Sequence, residues 1–186
     1  GSGSWCMQGT LRVSAGTVYV GTATDDFLAP QTGSSIIIDG GNLIVRGRLS
    51  QGGANWMFNM SSGTLTVGTL GSTTAGRPVF NMDNASSSFT MTGGTLIVER
   101  PGNANQGFFN IATSGSGFTG GTLQIGNATT PSSTTIKIET NQPVYNLTVN
   151  STNVTAQVTT YSLSVRNDVT ITAGTLNPNA LDMALG

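Results

Sequence analysis

Few side chains in this chain can carry acid–base or metal chemistry. The sequence has no histidine and a single cysteine, Cys6, so a Ser-His-Asp triad lacks its base and a Cys/His zinc site lacks its ligands. Asp25 and Asp26 form the one adjacent acidic pair. Two neighbouring carboxylates could bind calcium or supply half of an acid–base pair. Aspartates also initiate turns, and we expect a turn here, with calcium as a weak alternative.

An enzyme acting on polysaccharides would need a second carboxylate or an arginine close to an acid. The candidates are Asp39, Asp83 and Asp168, with Arg46 or Arg48 as the base of a lyase. The sequence does not bring any of these residues onto one surface. We therefore predict that the chain is not an enzyme and carries no catalytic residue, no cofactor and no metal, with a polysaccharide lyase or hydrolase of the β-helix type as the lesser alternative.

The charge of the chain is low and balanced. It has 7 basic and 8 acidic residues among 186, for a net charge of −1, so it lacks the basic stripe that binds phosphate backbones. No apolar run approaches the ~18–20 residues that span a bilayer. We expect neither a nucleic-acid partner nor a membrane span.

An internal repeat with the pattern Gly-Thr-Leu-x-Val organises the chain. With a second phrase, Phe-Asn-Met, it divides the sequence into units 9–34, 35–55, 56–78, 79–107 and 108–134. Apolar residues alternate with polar ones in every unit, which predicts strands and not helices. Units of this length with two or three short strands predict an all-β fold, a single-stranded parallel β-helix (β-solenoid) of about seven coils with irregular coil length.

Stacking the repeats in register predicts columns of like residues. Leucine and valine are expected to point inward, as Leu43, Leu65, Leu96 and Leu123, and as Val45, Val67, Val98 and Ile125. Positive-φ corners are expected at Gly41, Gly63, Gly94 and Gly121. The Phe-Asn-Met phrases predict a further inward column of Phe58, Phe80 and Phe109, with Asn59, Asn81 and Asn110 as an outward amide ladder.

The rhythm shortens after residue 135. We interpret 9–134 as regular coils and 135–178 as shorter coils of the same solenoid, so that 1–186 is one domain. The last coils carry Tyr-Asn-Leu-Thr-Val at 145–149 and Val-Thr-Ile-Thr-Ala-Gly-Thr-Leu at 169–176.

These phrases resemble the β-solenoid repeat regions of large secreted bacterial surface proteins. The Gly-Thr-Leu-x-Val coils are similar to those of autotransporter passengers and filamentous adhesins, and residues 145–176 to repeats of exported Bacteroidetes-type proteins. The resemblance implies an extracellular or cell-surface location and a role in adhesion or as a stalk. It carries over no catalytic residue.

The terminal coils are the expected assembly surfaces, since a solenoid needs its end strands covered. The partner would be another copy of the chain or flanking solenoid coils of a longer chain. The residues we predict there are Trp5, Met7, Leu11, Val13, Val169, Ile171 and Leu176.

One side face is an alternative binding surface for a glycan or a host surface. Its predicted residues are Tyr19, Phe27, Thr64, Thr66, Thr95 and Thr122. Regular threonines on a flat face also suit ice binding, although exposed strands favour threonine in any case.

Overall fold

The alternating sequence folds into a stack of parallel strands. A computed structural model describes residues 3–50 and 52–186, which form an all-β parallel β-solenoid of about eight turns. The fold class predicted from the sequence is confirmed, with about eight turns in place of about seven. Within these residues the only helical segment is a single 3-10 turn, Asn103–Asn105.

The strands are short because glycine corners and polar loops interrupt them. In chain order they are β1 (Ser4–Met7), β2 (Thr10–Val13), β3 (Thr17–Val20), β4 (Phe27–Pro30), β5 (Ser35–Val45), β6 (Arg48–Ser50), β7 (Met57–Val67), β8 (Phe80–Met82), β9 (Ser88–Met91), β10 (Thr95–Val98), β11 (Gln106–Asn110), β12 (Ser114–Phe118), β13 (Thr122–Ile125), β14 (Thr134–Thr140), β15 (Asn146–Val158), β16 (Leu163–Val165), β17 (Val169–Asn177) and β18 (Met183–Leu185).

Three faces, each a stack of parallel strands, enclose the core. Face 1 contains β1, β4, β6, β8, β11 and β14, followed by residues 154–158 and 175–177. Face 2 contains β2, residues 35–38 and 57–60, β9 and β12. Strands β16 and β18 pair with each other in a separate two-stranded sheet. Face 3 contains β3, residues 42–45 and 64–67, β10, β13, and residues 146–149 and 169–171.

The predicted register of face 3 is confirmed. Leu65 pairs with Leu43 on one side and Leu96 on the other, and all three side chains are fully buried. The glycine corners before these strands have φ between 54° and 81°. A Cβ at Gly63 would lie 2.4 Å from the carbonyl oxygen of Gly40 in the coil below, so this corner accepts only glycine.

The predicted phenylalanine column and amide ladder are wrong. Phe58 lies on face 2 and pairs with Phe89, whereas Phe80 lies on face 1 and pairs with Phe108. Phe109 points outward, so the Asn59, Asn81 and Asn110 side chains do not stack on one another. The physical reason is a loop at residues 83–87, which moves the second Phe-Asn-Met phrase one face earlier in its coil.

Six aromatic rings fill the space between faces 1 and 2. They are buried to 2% exposure or less, and neighbouring ring centroids lie 4.7–6.5 Å apart: Trp56, Phe58, Phe80, Phe89, Phe108 and Phe118. Phe80 stacks on Phe108 with centroids 5.0 Å apart, and it meets Phe58 edge to face at 5.6 Å. Such offset and edge-on pairs are the favourable ring geometries.

The later segment continues the same solenoid. Residues 146–149 pair with β13 and residues 154–158 pair with β14, so β15 bends from face 3 to face 1.

In the part of the chain that the structure describes, no helix is long and apolar enough to cross a membrane.

Replacing one residue of the leucine column tests the register. Leu65→Ala should lower the free energy of unfolding by about 2–5 kcal/mol, because it leaves a cavity in a fully buried column. Thr66→Ala, one position along and pointing outward, should change it by less than about 0.5 kcal/mol. Urea unfolding followed by circular dichroism measures both, and equal losses would contradict the assignment of the two faces.

Candidate functional site

A groove on the outer surface of face 1 gathers polar and charged side chains around one aromatic ring. We call it the face 1 groove; its volume is about 250 Å³ and its lining residues are Gly76, Arg77, Pro78, Asn81, Asp83, Gln106, Phe109 and Glu139. The strand register produces its floor: Asn81 of β8 pairs with Phe109 of β11, which pairs with Glu139 of β14. These three side chains therefore form one outward column.

Residues 76–78 form one wall of the groove, at the end of the long connection 68–78 from face 3 to face 1. The next such connection, 99–105, lies beside it. Arg77 and Pro78 end the first connection, and a Cβ at Gly102 would lie 2.3 Å from the carbonyl oxygen of Arg77. The two connections therefore pack directly against each other. A Cβ at Gly52 would lie 2.2 Å from an Arg77 guanidinium nitrogen, so the Arg77 side chain lies over that glycine.

Asp25 anchors the first connection to the solenoid. Its carboxylate accepts hydrogen bonds from the Ser72 hydroxyl at 2.6 Å, from the Thr73 amide at 2.7 Å and from the Thr74 amide at 3.1 Å. Burial raises the pKa of Asp25, but these hydrogen bonds outweigh it and hold the pKa well below its usual range. The ionised carboxylate thus fixes the base of the loop that carries Arg77.

Asp26 closes its own turn. Its carboxylate accepts the backbone N–H groups of Thr22 at 2.6 Å and Ala23 at 2.9 Å, and it also accepts that of Gly3. The bonds from Thr22, Gly3 and Ala23 lower the pKa of Asp26 to about 2. Asp25 and Asp26 both face N–H and O–H donors, which favours the predicted turn over the calcium alternative. No group of three acidic or cysteine side chains in residues 3–50 and 52–186 is arranged to hold a metal ion.

Three other catalytic candidates, Asp39, Arg46 and Arg48, have partners outside the groove. Asp39 accepts hydrogen bonds from Arg12, and Arg46 lies 5.6 Å from the centre of the Tyr19 ring. Arg48 is 6% exposed and lies 4.6 Å from the ring centre of Phe27. The structure therefore brings neither arginine together with Asp39.

The threonines predicted for a binding surface do lie together. Thr64 pairs with Thr95, which pairs with Thr122, and all three half-exposed side chains point out from face 3. Thr66 lies in the neighbouring outward column, two coils away from Tyr19, whose side chain is 57% exposed.

Phe27 does not join this surface, contrary to the prediction from the sequence. It begins β4 on face 1, where its ring is half-buried and packs on the Arg48 guanidinium. The parallel pairing of Phe27 with Arg48 places it there.

The terminal coils carry apolar side chains at positions that continue the core columns. Trp5 occupies the column of Leu28 and Leu49 yet is 56% exposed, and at the other end Ile171 is 51% exposed. Among the other predicted assembly residues, Met7, Leu11, Val169 and Leu176 are partly buried against the core, whereas Val13 is buried. Leu185, which the sequence analysis did not select, is 67% exposed.

The sequence analysis missed most of the groove. Only Asp83 was considered, because Asn81 and Phe109 were assigned to stacks of like residues. The glycine corners would have given the correct register of face 2, because Phe58 lies five residues before Gly63 and Phe89 lies five residues before Gly94. No comparable marker precedes β8, β11 and β14, so nothing in the sequence aligns Asn81, Phe109 and Glu139.

The fold and its core define the class of this chain as a β-solenoid with a buried aromatic core. No protein-family model, curated protein or solved structure matches the chain.

The low pKa of Asp26 predicts a loss of stability in acid. The folded carboxylate titrates near pH 2, whereas an unfolded aspartate titrates near ~3.9. The unfolded state therefore binds more protons between these values, so the contribution of Asp26 is present above about pH 4 and lost as the pH falls towards 2.

Asp26→Asn should therefore destabilise the protein at pH 7, and its difference from the unsubstituted chain should shrink as the pH approaches 2. Urea unfolding at a series of pH values measures this difference. Asp182→Asn, at an exposed position, is the control. A difference that stays constant with pH would show that the Asp26 charge does not contribute.

Proposed function

We propose that this chain is a structural β-solenoid at the cell surface or outside the cell, acting as a stalk, filament subunit or adhesin shaft. The observation that carries the proposal is the exposure of core-directed apolar residues at both ends, above all Trp5 and Ile171. Exposed apolar positions that continue a core column are suited to burial by a further coil.

The two ends are chemically complementary. On face 3 the leucine column begins at Val18 and finishes at Val169, and the neighbouring column begins at Val20 and finishes at Ile171. A second copy stacked head to tail would place branched aliphatic residues on branched aliphatic residues in both columns. The same contact would pair the outer strands in the parallel sense used throughout the solenoid.

Head-to-tail contacts of this kind do not close on themselves. Because the outermost copy at each end of the stack keeps one end free, the assembly grows as an open filament. Eight turns at ~4.8 Å per strand make each copy about 4 nm long, which sets the increment by which a filament would lengthen.

The composition supports a location outside the cell. Charged residues make up 8% of the chain, and the resemblance of the Gly-Thr-Leu-x-Val coils to secreted surface proteins points the same way. Asp39 is paired with Arg12 and Arg48 is packed on Phe27, so the proposal assigns neither residue a catalytic role.

Negative-stain electron microscopy across a concentration series tests the assembly. Rods should lengthen with concentration in steps of about 4 nm, and Ile171→Lys should hold them at one step, because it places a charge in the stacked column. Thr170→Lys is the matched control, since it adds the same charge on the outward side of the same strand. Rods of one length at every concentration, or filaments that Ile171→Lys leaves unchanged, would refute head-to-tail stacking.

A further inference from the structure

Asn81 is a polar side chain on the floor of the face 1 groove. It is 2% exposed and lines the groove. A side-chain amide offers both N–H donors and an acceptor oxygen. A ligand with hydroxyl groups could both donate to and accept from this amide.

The side chains around Asn81 also suit a hydroxyl-rich ligand. Asp83 and Glu139 offer ionised acceptors, and Arg77 offers guanidinium donors, which form the stronger class of hydrogen bond. Arg77 forms an ion pair with neither carboxylate, so all three groups remain able to bind a ligand.

Phe109 supplies an apolar surface in the middle of the groove. Its half-buried side chain points outward between Asn81 and Glu139. The face of an aromatic ring is electron-rich, and the C–H bonds on one side of a sugar ring are weakly positive. A sugar lying on Phe109 would therefore bring its hydroxyl groups to the polar side chains on either side.

The groove is held in place before any ligand arrives. Asp25 fixes the loop that carries Arg77, and the Asp83 carboxylate accepts the Gly53 N–H at 2.9 Å. The floor side chains stand on strands of the solenoid, which is more rigid than a loop. Such preorganisation lowers the ordering cost of binding.

We propose that the face 1 groove binds a neutral oligosaccharide, with one sugar ring on Phe109 and its hydroxyl groups held by Asn81 and the charged side chains beside it. The volume of about 250 Å³ fits a short segment of such a chain. One cation and two carboxylates in the groove favour a neutral ligand over an anionic one. This site is independent of the proposed end-to-end assembly, because it lies on the side of the solenoid.

Isothermal titration calorimetry with the whole chain tests the proposal. The probes are the neutral tetrasaccharides of cellulose, starch and mannan, with tetragalacturonate as the acidic comparison. At least one neutral probe should bind saturably and more tightly than tetragalacturonate. Binding of none of the neutral probes, or tighter binding of the acidic one, would overturn the proposal.

Two substitutions then locate the binding site. Phe109→Ala should weaken binding about tenfold or more, as loss of a central aromatic contact does, and Glu139→Gln should weaken it several-fold while keeping the side-chain shape. Tyr19→Ala removes an exposed aromatic ring from face 3 and should leave the affinity within about twofold. Circular dichroism verifies that each variant is folded. Unchanged affinity in folded Glu139→Gln and Phe109→Ala would place the ligand elsewhere.

Discussion

The register of parallel hydrogen bonding from one coil to the next is the constraint on which the rest of this structure depends. On face 3 no residue is inserted or lost within the paired strands from Thr17 to Thr148. Each position therefore faces the equivalent position of the coils above and below at about 4.8 Å. At this spacing leucine and valine side chains stack inside the solenoid and threonine side chains stack outside it. Only glycine fits at the corner where Gly63 approaches Gly40.

Faces 1 and 2 are less regular, and the aromatic core compensates. Coil length varies because residues 68–78, 83–87 and 99–105 leave the solenoid between strands. Large rings reach across the wider interior, so that Phe80 of face 1 packs on Phe58 of face 2 at 5.6 Å. The core therefore stays packed despite the irregular connections. These connections form surface features that a regular solenoid lacks.

Several of the few charged residues lie in these connections and turns or beside them. Asp25 and Asp26 fix turns through backbone N–H groups, and Arg77, Asp83 and Glu139 meet in the face 1 groove. The regular face 3 instead carries a threonine-rich outward column through Thr64, Thr95 and Thr122. The proposed structural role and the proposed binding role therefore use different parts of one molecule: the two ends for assembly, and the face 1 groove for the ligand.

The sequence by itself determined the all-β solenoid, the leucine and valine columns and the glycine corners, because a Gly-Thr-Leu-x-Val phrase marks the register of each face 3 strand. It also indicated the turn at Asp25 and Asp26. Only the tertiary structure decided that Phe58 and Phe80 lie on different faces, and that Asn81, Phe109 and Glu139 share one column. The physical reason is that connections of unequal length separate the face 1 strands, so the spacing along the chain no longer reports which residues meet.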